Sequence, residues 1–86
     1  MFKNKAPNAR NNMCGNNIAR LRKELGLSQR GLAAKLQVNG LDLDKNAIQR
    51  IESGKRFITD IELFRLCKTL NCSYEEIYAP FSIIQD

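Results

Sequence analysis

Signals that start and stop helices recur at short intervals along most of this chain, and they restrict its fold more than any other feature. Apolar residues at helical spacing fall into short stretches, and each stretch opens on a residue that caps helices well. The predicted caps are Asn16 or Asn17, Ser28, Asp44, Thr59 and Ser73, and the predicted stops are Gly26, Gly40, Gly54 and Pro80. No strand-like alternation of apolar and polar residues exceeds four residues. The pattern predicts an all-α fold of five short helices.

These signals also set the bounds of the helices. Helix 1 is predicted from Asn17 to just before Gly26, helix 2 from Gln29 to about Asn39, and helix 3 from Lys45 to Ser53. Thr59 with Glu62, and Ser73 with Glu76, have the spacing of a capping box and open helices 4 and 5.

Size and charge limit the classes of function that the chain can have. A chain of 86 residues buries only about 60% of its unfolded surface, which suffices for one core. It has 14 Lys and Arg against 9 Asp and Glu, a net charge of +5 and no histidine. Histidine is the commonest general base and metal ligand, so most hydrolase chemistry and zinc binding are disfavoured. We expect a binding protein rather than an enzyme, with no cofactor, metal or small-molecule ligand.

Three cysteines, Cys14, Cys67 and Cys72, stand at irregular spacing. Secreted mini-proteins carry denser, even sets, so these residues are predicted to be free thiols in a reducing compartment. No histidine is present to activate them as nucleophiles. The first residues lack the apolar run of a signal peptide, and no apolar stretch approaches 18 residues, so a cytoplasmic protein without a membrane span is expected.

The composition divides the chain into three parts. Residues 1–15 are rich in asparagine, carry a charge of +3 and have almost no aliphatic residues, which predicts a flexible arm. Residues 16–79 are predicted to form the helical domain, and residues 80–86 an apolar tail. Two interpretations of the arm stay open: it contacts DNA phosphates or a minor groove, or it is a solvated tail with no role.

Predicted helix 3 has two different faces. At about 100° per residue, Ala47, Ile48 and Ile51 fall on one side. The opposite side carries polar groups and no acidic residue: Lys45, Asn46, Gln49, Arg50 and Ser53. Lysine and arginine bond guanine edges in the major groove of DNA, and asparagine and glutamine bond adenine edges. The polar side is a candidate for reading bases; the alternative is an ordinary amphipathic surface helix.

Two groups of residues carry a resemblance to a known family. The first is Leu27-Ser28-Gln29 with Leu32-Ala33 on helix 2, and the second is the stretch IQRIESGKR, residues 48–56. With them, the region from about Ile18 to Tyr78 resembles the phage repressor and Cro type of helix-turn-helix domain, the xenobiotic-response-element family. The resemblance implies a compact five-helix, lambda-repressor-like domain that binds double-stranded DNA, with helix 3 as the recognition helix.

The resemblance also implies roles for individual residues. Base readout falls to Lys45, Asn46 and Arg50, with Gln49 as a second-rank candidate. Contacts to the DNA backbone fall to Ser28, Gln29, Lys55 and Arg56, and Gln29 would also brace the recognition helix. Arg22 and Glu52 match positions that form an internal ion pair between helices 1 and 3.

The chain departs from the family pattern in two places. About five residues are added between helices 2 and 3, so helix 2 runs longer or the turn becomes a loop. Leu43 is expected to take the apolar turn position, and Leu41 to join the core. Gly31 stands where the family often has glutamate, which removes half of a capping box and about 1 kcal/mol of helix propensity.

Two functions are compatible with these features. The first is a sequence-specific transcriptional regulator, a repressor that acts as a homodimer by occupying promoter DNA. The alternative is a protein-interaction module, such as an antitoxin or a regulatory partner, which docks through apolar residues of the C-terminal third: Phe57, Tyr74, Tyr78, Phe81, Ile83 and Ile84. Residues 1–56 carry 12 Lys and Arg against 4 Asp and Glu, whereas residues 57–86 carry 2 against 5. This asymmetry favours the first function, with helices 1 to 3 toward DNA.

Overall fold

A computed structural model describes residues 9–79 and, within that range, contains five helices and no strand. The helices are α1 (Gly15–Glu24), α2 (Gln29–Val38), α3 (Lys45–Glu52), α4 (Asp60–Leu70) and α5 (Tyr74–Tyr78). The predicted all-α fold of five helices is confirmed. The first eight residues of the predicted arm, the predicted stop at Pro80 and the predicted tail lie outside the described residues.

Side-chain caps start four of the five helices where the sequence predicts them. Ser28 and Asp44 accept hydrogen bonds from the third backbone amide of α2 and α3, at 2.9 and 2.8 Å. Thr59 and Ser73 open α4 and α5 with complete capping boxes. Such caps supply acceptors to N–H groups that have no partner inside the helix. The predicted stops Gly26, Gly40 and Gly54 all have positive φ angles, a backbone conformation that glycine adopts readily.

The start of α1 differs from the prediction. The helix begins at Gly15, and its N-cap is Cys14, which makes no side-chain capping bond. The cap at Asn16 or Asn17 is therefore wrong. Instead, the Asn12 carboxamide oxygen accepts from the Gly15 amide at 2.7 Å, and the carboxamide of Asn17 donates to the carbonyl of Ile77 at 3.0 Å. The first amide of α1 thus has a local partner in Asn12, while Asn17 makes a long-range contact to α5.

Every helix contributes to a single core. The largest fully buried side chains are Ile18, Leu32, Leu36, Ile48, Ile51, Leu66 and Ile77. Full burial of such a side chain contributes about 1.5–3 kcal/mol. Two of these residues lie on α3, so the core fixes which side of that short helix faces inward.

The added residues between helices 2 and 3 form a loop that covers the core. α2 ends at Val38 and α3 starts at Lys45. Leu43 in this loop is buried, and Leu41 packs against the core while its amide donates to the carbonyl of Leu36 at 2.8 Å. The expectations for Leu41 and Leu43 are confirmed.

All three cysteines lie in or against the core as free thiols. Burial raises the pKa of the Cys14 thiol to about 11 and that of Cys72 to about 12, and it also raises the pKa of Cys67. Because the thiolate is the nucleophile, the folded chain suppresses thiol reactivity at neutral pH.

We therefore expect Cys14 to be alkylated slowly by iodoacetamide at pH 8 in the folded chain. A pKa near 11 in place of 9.0 leaves about 100-fold less thiolate, and burial restricts access further. Mass spectrometry of the labelled peptide measures the rate, with the same chain in urea as the control. The rate should rise as the pH approaches 11; equal rates in the folded and unfolded chains at pH 8 would contradict the burial of Cys14.

Within residues 9–79, no helix is both long enough and apolar enough to cross a membrane.

Candidate nucleic-acid interface

The polar face of α3 is exposed along its length. Ile48 and Ile51 are fully buried beneath it. All four predicted base-reading residues are exposed on this helix: Lys45, Asn46, Gln49 and Arg50. The structure thus brings them together on one accessible surface. Two cations and two carboxamides at this spacing can offer hydrogen bonds to the edges of several successive base pairs.

Glu52 ties the C-terminal end of α3 to α1 and α2. Arg22 donates from Nε to Glu52 Oε2 at 2.7 Å and from Nη2 to Oε1 at 3.0 Å. Gln29 donates from Nε2 to the same Oε1 at 2.9 Å. The Arg22 and Glu52 side chains are only 9% and 8% exposed. The ion pair that the resemblance implied is present, and Gln29 belongs to its network.

The start of α2 carries two exposed polar side chains near α3, Ser28 and Arg30. Ser28 is exposed, and its oxygen accepts from the Gly31 amide, which leaves its O–H free to donate outward. Arg30, also exposed, lines the groove between α2 and α3 together with Lys45. The sequence reasoning did not select Arg30, and its nearness to Lys45 depends on how the two helices pack.

The loop after α3 carries two cations, Lys55 and Arg56, whose surroundings differ. Lys55 is exposed. Arg56 donates from both terminal nitrogens to the Glu62 carboxylate, at 2.9 Å each, and from Nη1 to the carbonyl of Phe57 at 3.0 Å. The Arg56 guanidinium lowers the pKa of the Glu62 carboxyl below its ordinary value. The guanidinium thus holds the loop to α4 with three of its five N–H donors. The implied contact of Arg56 with the DNA backbone stays a prediction.

Residues 9–14, which were predicted to belong to the flexible arm, pack against this loop. Asn12 is only 8% exposed, and Cys14 is in the core. The Asn11 amide donates to the carbonyl of Gly54 at 2.8 Å. Here the prediction from composition is wrong, because asparagine side chains can be buried when backbone carbonyls accept their hydrogen bonds.

A family model described as helix-turn-helix matches residues 18–77, which is more than half of the chain. The match extends from α1 into α5 and confirms the resemblance to repressor and Cro-type domains. No curated protein and no solved structure matches the chain.

Proposed function

We propose a mode of DNA recognition for this chain, which belongs to the helix-turn-helix family and is a DNA-binding transcription regulator. In this proposal α3 enters the major groove of double-stranded DNA, where Lys45, Asn46, Gln49 and Arg50 read base edges. The observation that carries it is the exposed polar face of α3, which lies directly above side chains that the core holds immobile.

Contacts to the DNA backbone come from both sides of this face. In this proposal the exposed Ser28 hydroxyl and Lys55 ammonium bind phosphates, and the exposed Arg30, in the groove that Lys45 also lines, joins them. Gln29 supports the recognition helix through Glu52 and can offer its remaining N–H to a phosphate. We assign Arg56 to holding the loop.

We further propose that the chain represses transcription as a homodimer, by occupying promoter DNA in the cytoplasm or nucleoid. A two-fold dimer reads two half-sites about one helical turn apart. Exposed apolar side chains that a second copy can cover occur around the start of α4, at Phe57, Ile61 and Phe64. If the chain binds no duplex at low salt but retains a protein partner, the alternative of a protein-interaction module replaces this proposal.

Two substitutions should separate base reading from phosphate binding. The duplex is first obtained by selecting bound sequences from a random pool, which also reports half-site spacing. Arg50→Ala is expected to lower affinity for the selected duplex by about 1–3 kcal/mol and to leave affinity for a random duplex nearly unchanged. Lys55→Ala is expected to lower affinity for the selected and random duplexes equally. It should also reduce the slope of log affinity against log salt concentration by about one.

Lys35→Ala provides the matched control, because Lys35 is an exposed cation on α2 that belongs neither to the proposed DNA contacts nor to the proposed dimer surface. This variant should bind both duplexes like the wild type. Equal losses on the selected and random duplexes from Arg50→Ala would remove Arg50 from base readout.

A further inference from the structure

Three residues before α1, Arg10, Asn11 and Asn12, form what we call the N-terminal clamp. The last carbonyls of a helix have no partner inside it and must find one elsewhere. Arg10 Nη2 donates to the Glu52 carbonyl at 2.6 Å, and Asn11 Nδ2 donates to the Lys55 carbonyl at 3.0 Å. The clamp thus supplies donors to the end of α3 and to the loop that follows.

Asn12 makes the most constrained contacts of the clamp. Its Nδ2 donates to two carbonyls, that of Ile51 at 3.0 Å and that of Arg56 at 2.8 Å. Its Oδ1 accepts from the Gly15 amide at 2.7 Å. One carboxamide therefore joins the start of α1, the last turn of α3 and the end of the loop. Because one nitrogen atom donates to carbonyls on both sides of the loop, Asn12 sets the distance between the Ile51 and Arg56 carbonyls.

Arg10 closes the clamp over Gly54. A Cβ atom at Gly54, where φ is +84°, would lie 2.7 Å from Arg10 Nε. The Arg10 side chain therefore passes directly over the glycine backbone in the middle of the loop. The loop is held at its two ends by Asn12 and covered in the middle by Arg10.

Lys55 lies inside this held segment. Its amide donates to the Arg50 carbonyl at 2.9 Å, and its own carbonyl accepts from Asn11. The backbone at Lys55 is fixed on both sides, while the side chain stays exposed. Since the phosphate is bound by this side chain in the proposed function, the position of the loop decides where its ammonium lies.

We propose that Asn12 is a positioning residue for DNA binding, which holds residues 53–56 so that the Lys55 ammonium meets a phosphate. This inference rests on the proposed function. Asparagine is required because the contact needs two N–H donors and one acceptor on the same planar group; aspartate has no donor and would face two carbonyl oxygens. The end of α3 is held at two points: the Glu52 side chain bonds Arg22 and Gln29, and the Asn12 side chain bonds the Ile51 backbone carbonyl.

A double-mutant cycle on the full chain tests the proposal. Asn12→Ala, Lys55→Ala and the double variant are titrated with the selected and random duplexes over a salt series, at a temperature where circular dichroism shows each variant folded. Asn12→Ala should lower affinity for both duplexes about tenfold and reduce the slope of log affinity against log salt concentration by about one. In the Lys55→Ala background it should add less than about twofold, since the contact it positions is already absent. Asn16→Ala, an exposed position on α1, is the control and should bind like the wild type.

The outcomes separate this inference from the proposed function. If the wild type binds neither duplex, both are overturned. If the wild type binds and a folded Asn12→Ala binds equally well, or its loss adds fully to that of Lys55→Ala, only the positioning role is overturned. Should Asn12→Ala not fold, Asn11→Ala removes the side-chain bond to the Lys55 carbonyl, and the same non-additivity with Lys55→Ala is required.

Discussion

Replacing Glu52 with alanine is expected to lower the free energy of unfolding by about 3–5 kcal/mol. Glu52 accepts two hydrogen bonds from Arg22 and one from Gln29, and both side chains of the ion pair are almost fully buried. Without the carboxylate, the Arg22 guanidinium keeps its charge and retains only the bond from Nη1 to the Leu27 carbonyl. An unpaired charge in this environment is strongly unfavourable, so the folded state loses stability. Urea denaturation of both chains measures the difference.

Glu24→Ala is the matched control for this experiment. Glu24 also pairs with an arginine, Arg20 at 3.0 Å, but their side chains are 59% and 47% exposed. An exposed pair four residues apart on a helix contributes less than about 0.5 kcal/mol. Removing the charge of Arg22 as well, by Arg22→Met in the Glu52→Ala chain, should recover part of the lost stability. If Glu52→Ala were no more destabilising than Glu24→Ala, the buried network would not support α3.

The second large effect is expected from Gly15→Ala, which should destabilise the fold by about 1–3 kcal/mol or more. Alanine normally favours a helix over glycine by about 1 kcal/mol, so the expected sign is opposite to helix propensity. A Cβ at Gly15 would lie within the van der Waals envelope of the Ile51 carbonyl oxygen and 3.0 Å from Asn12 Oδ1. The Ile51 oxygen belongs to backbone, so α1 and α3 would have to separate.

Gly31→Ala tests the same substitution in the first turn of α2. There a Cβ would meet the Ser28 Oγ at 3.2 Å and the Leu27 side chain at 3.6 Å, which small side-chain shifts can relieve. This variant should be neutral or more stable by up to about 1 kcal/mol. Thermal unfolding of both variants gives the comparison. A stabilised Gly15→Ala would show that α1 and α3 do not approach closely at this point.

Both large effects act on how α3 is held. Gly15 allows α1 to come close to the last turn of α3, and Glu52 connects that turn to α1 and α2. The polar face that we assign to base reading is short, so a small rotation of α3 would displace every side chain on it. Preorganised geometry of this kind is required before binding energy can be gained from several bases at once.

Much of the fold was predictable because its signals are local. A cap such as Asp44 bonds an amide three residues away, and Gly54 can adopt its positive φ without steric cost because it has no side chain. The two faces of α3 follow from the helical repeat, which places Ile48 and Ile51 inward and Arg50 outward. Arg50 was therefore identified as an exposed candidate without knowledge of the packing, whereas Lys55, in the loop, was implied only by the family resemblance.

The candidate site was less predictable where partners are distant in the chain. Arg56 has the sequence context of a phosphate-binding cation, yet it pairs with Glu62 once α4 is in place. Asn12 has the context of a solvated asparagine, yet its partners stand 39 and 44 residues later. No local pattern predicts either contact, and Arg30 and Lys45 come to line one groove only because α2 and α3 pack together.

By itself, the sequence determined where α2 to α5 begin and which side of α3 carries its polar groups. Those properties depend on hydrogen bonds and side-chain directions within one helical turn. Only the tertiary structure decided which polar side chains of that region are engaged inside the fold and which stay exposed. Each buried carbonyl or charge near the end of α3 must have a partner, and packing assigned Arg10, Asn12, Arg22 and Arg56 to that task while it left Lys55 exposed.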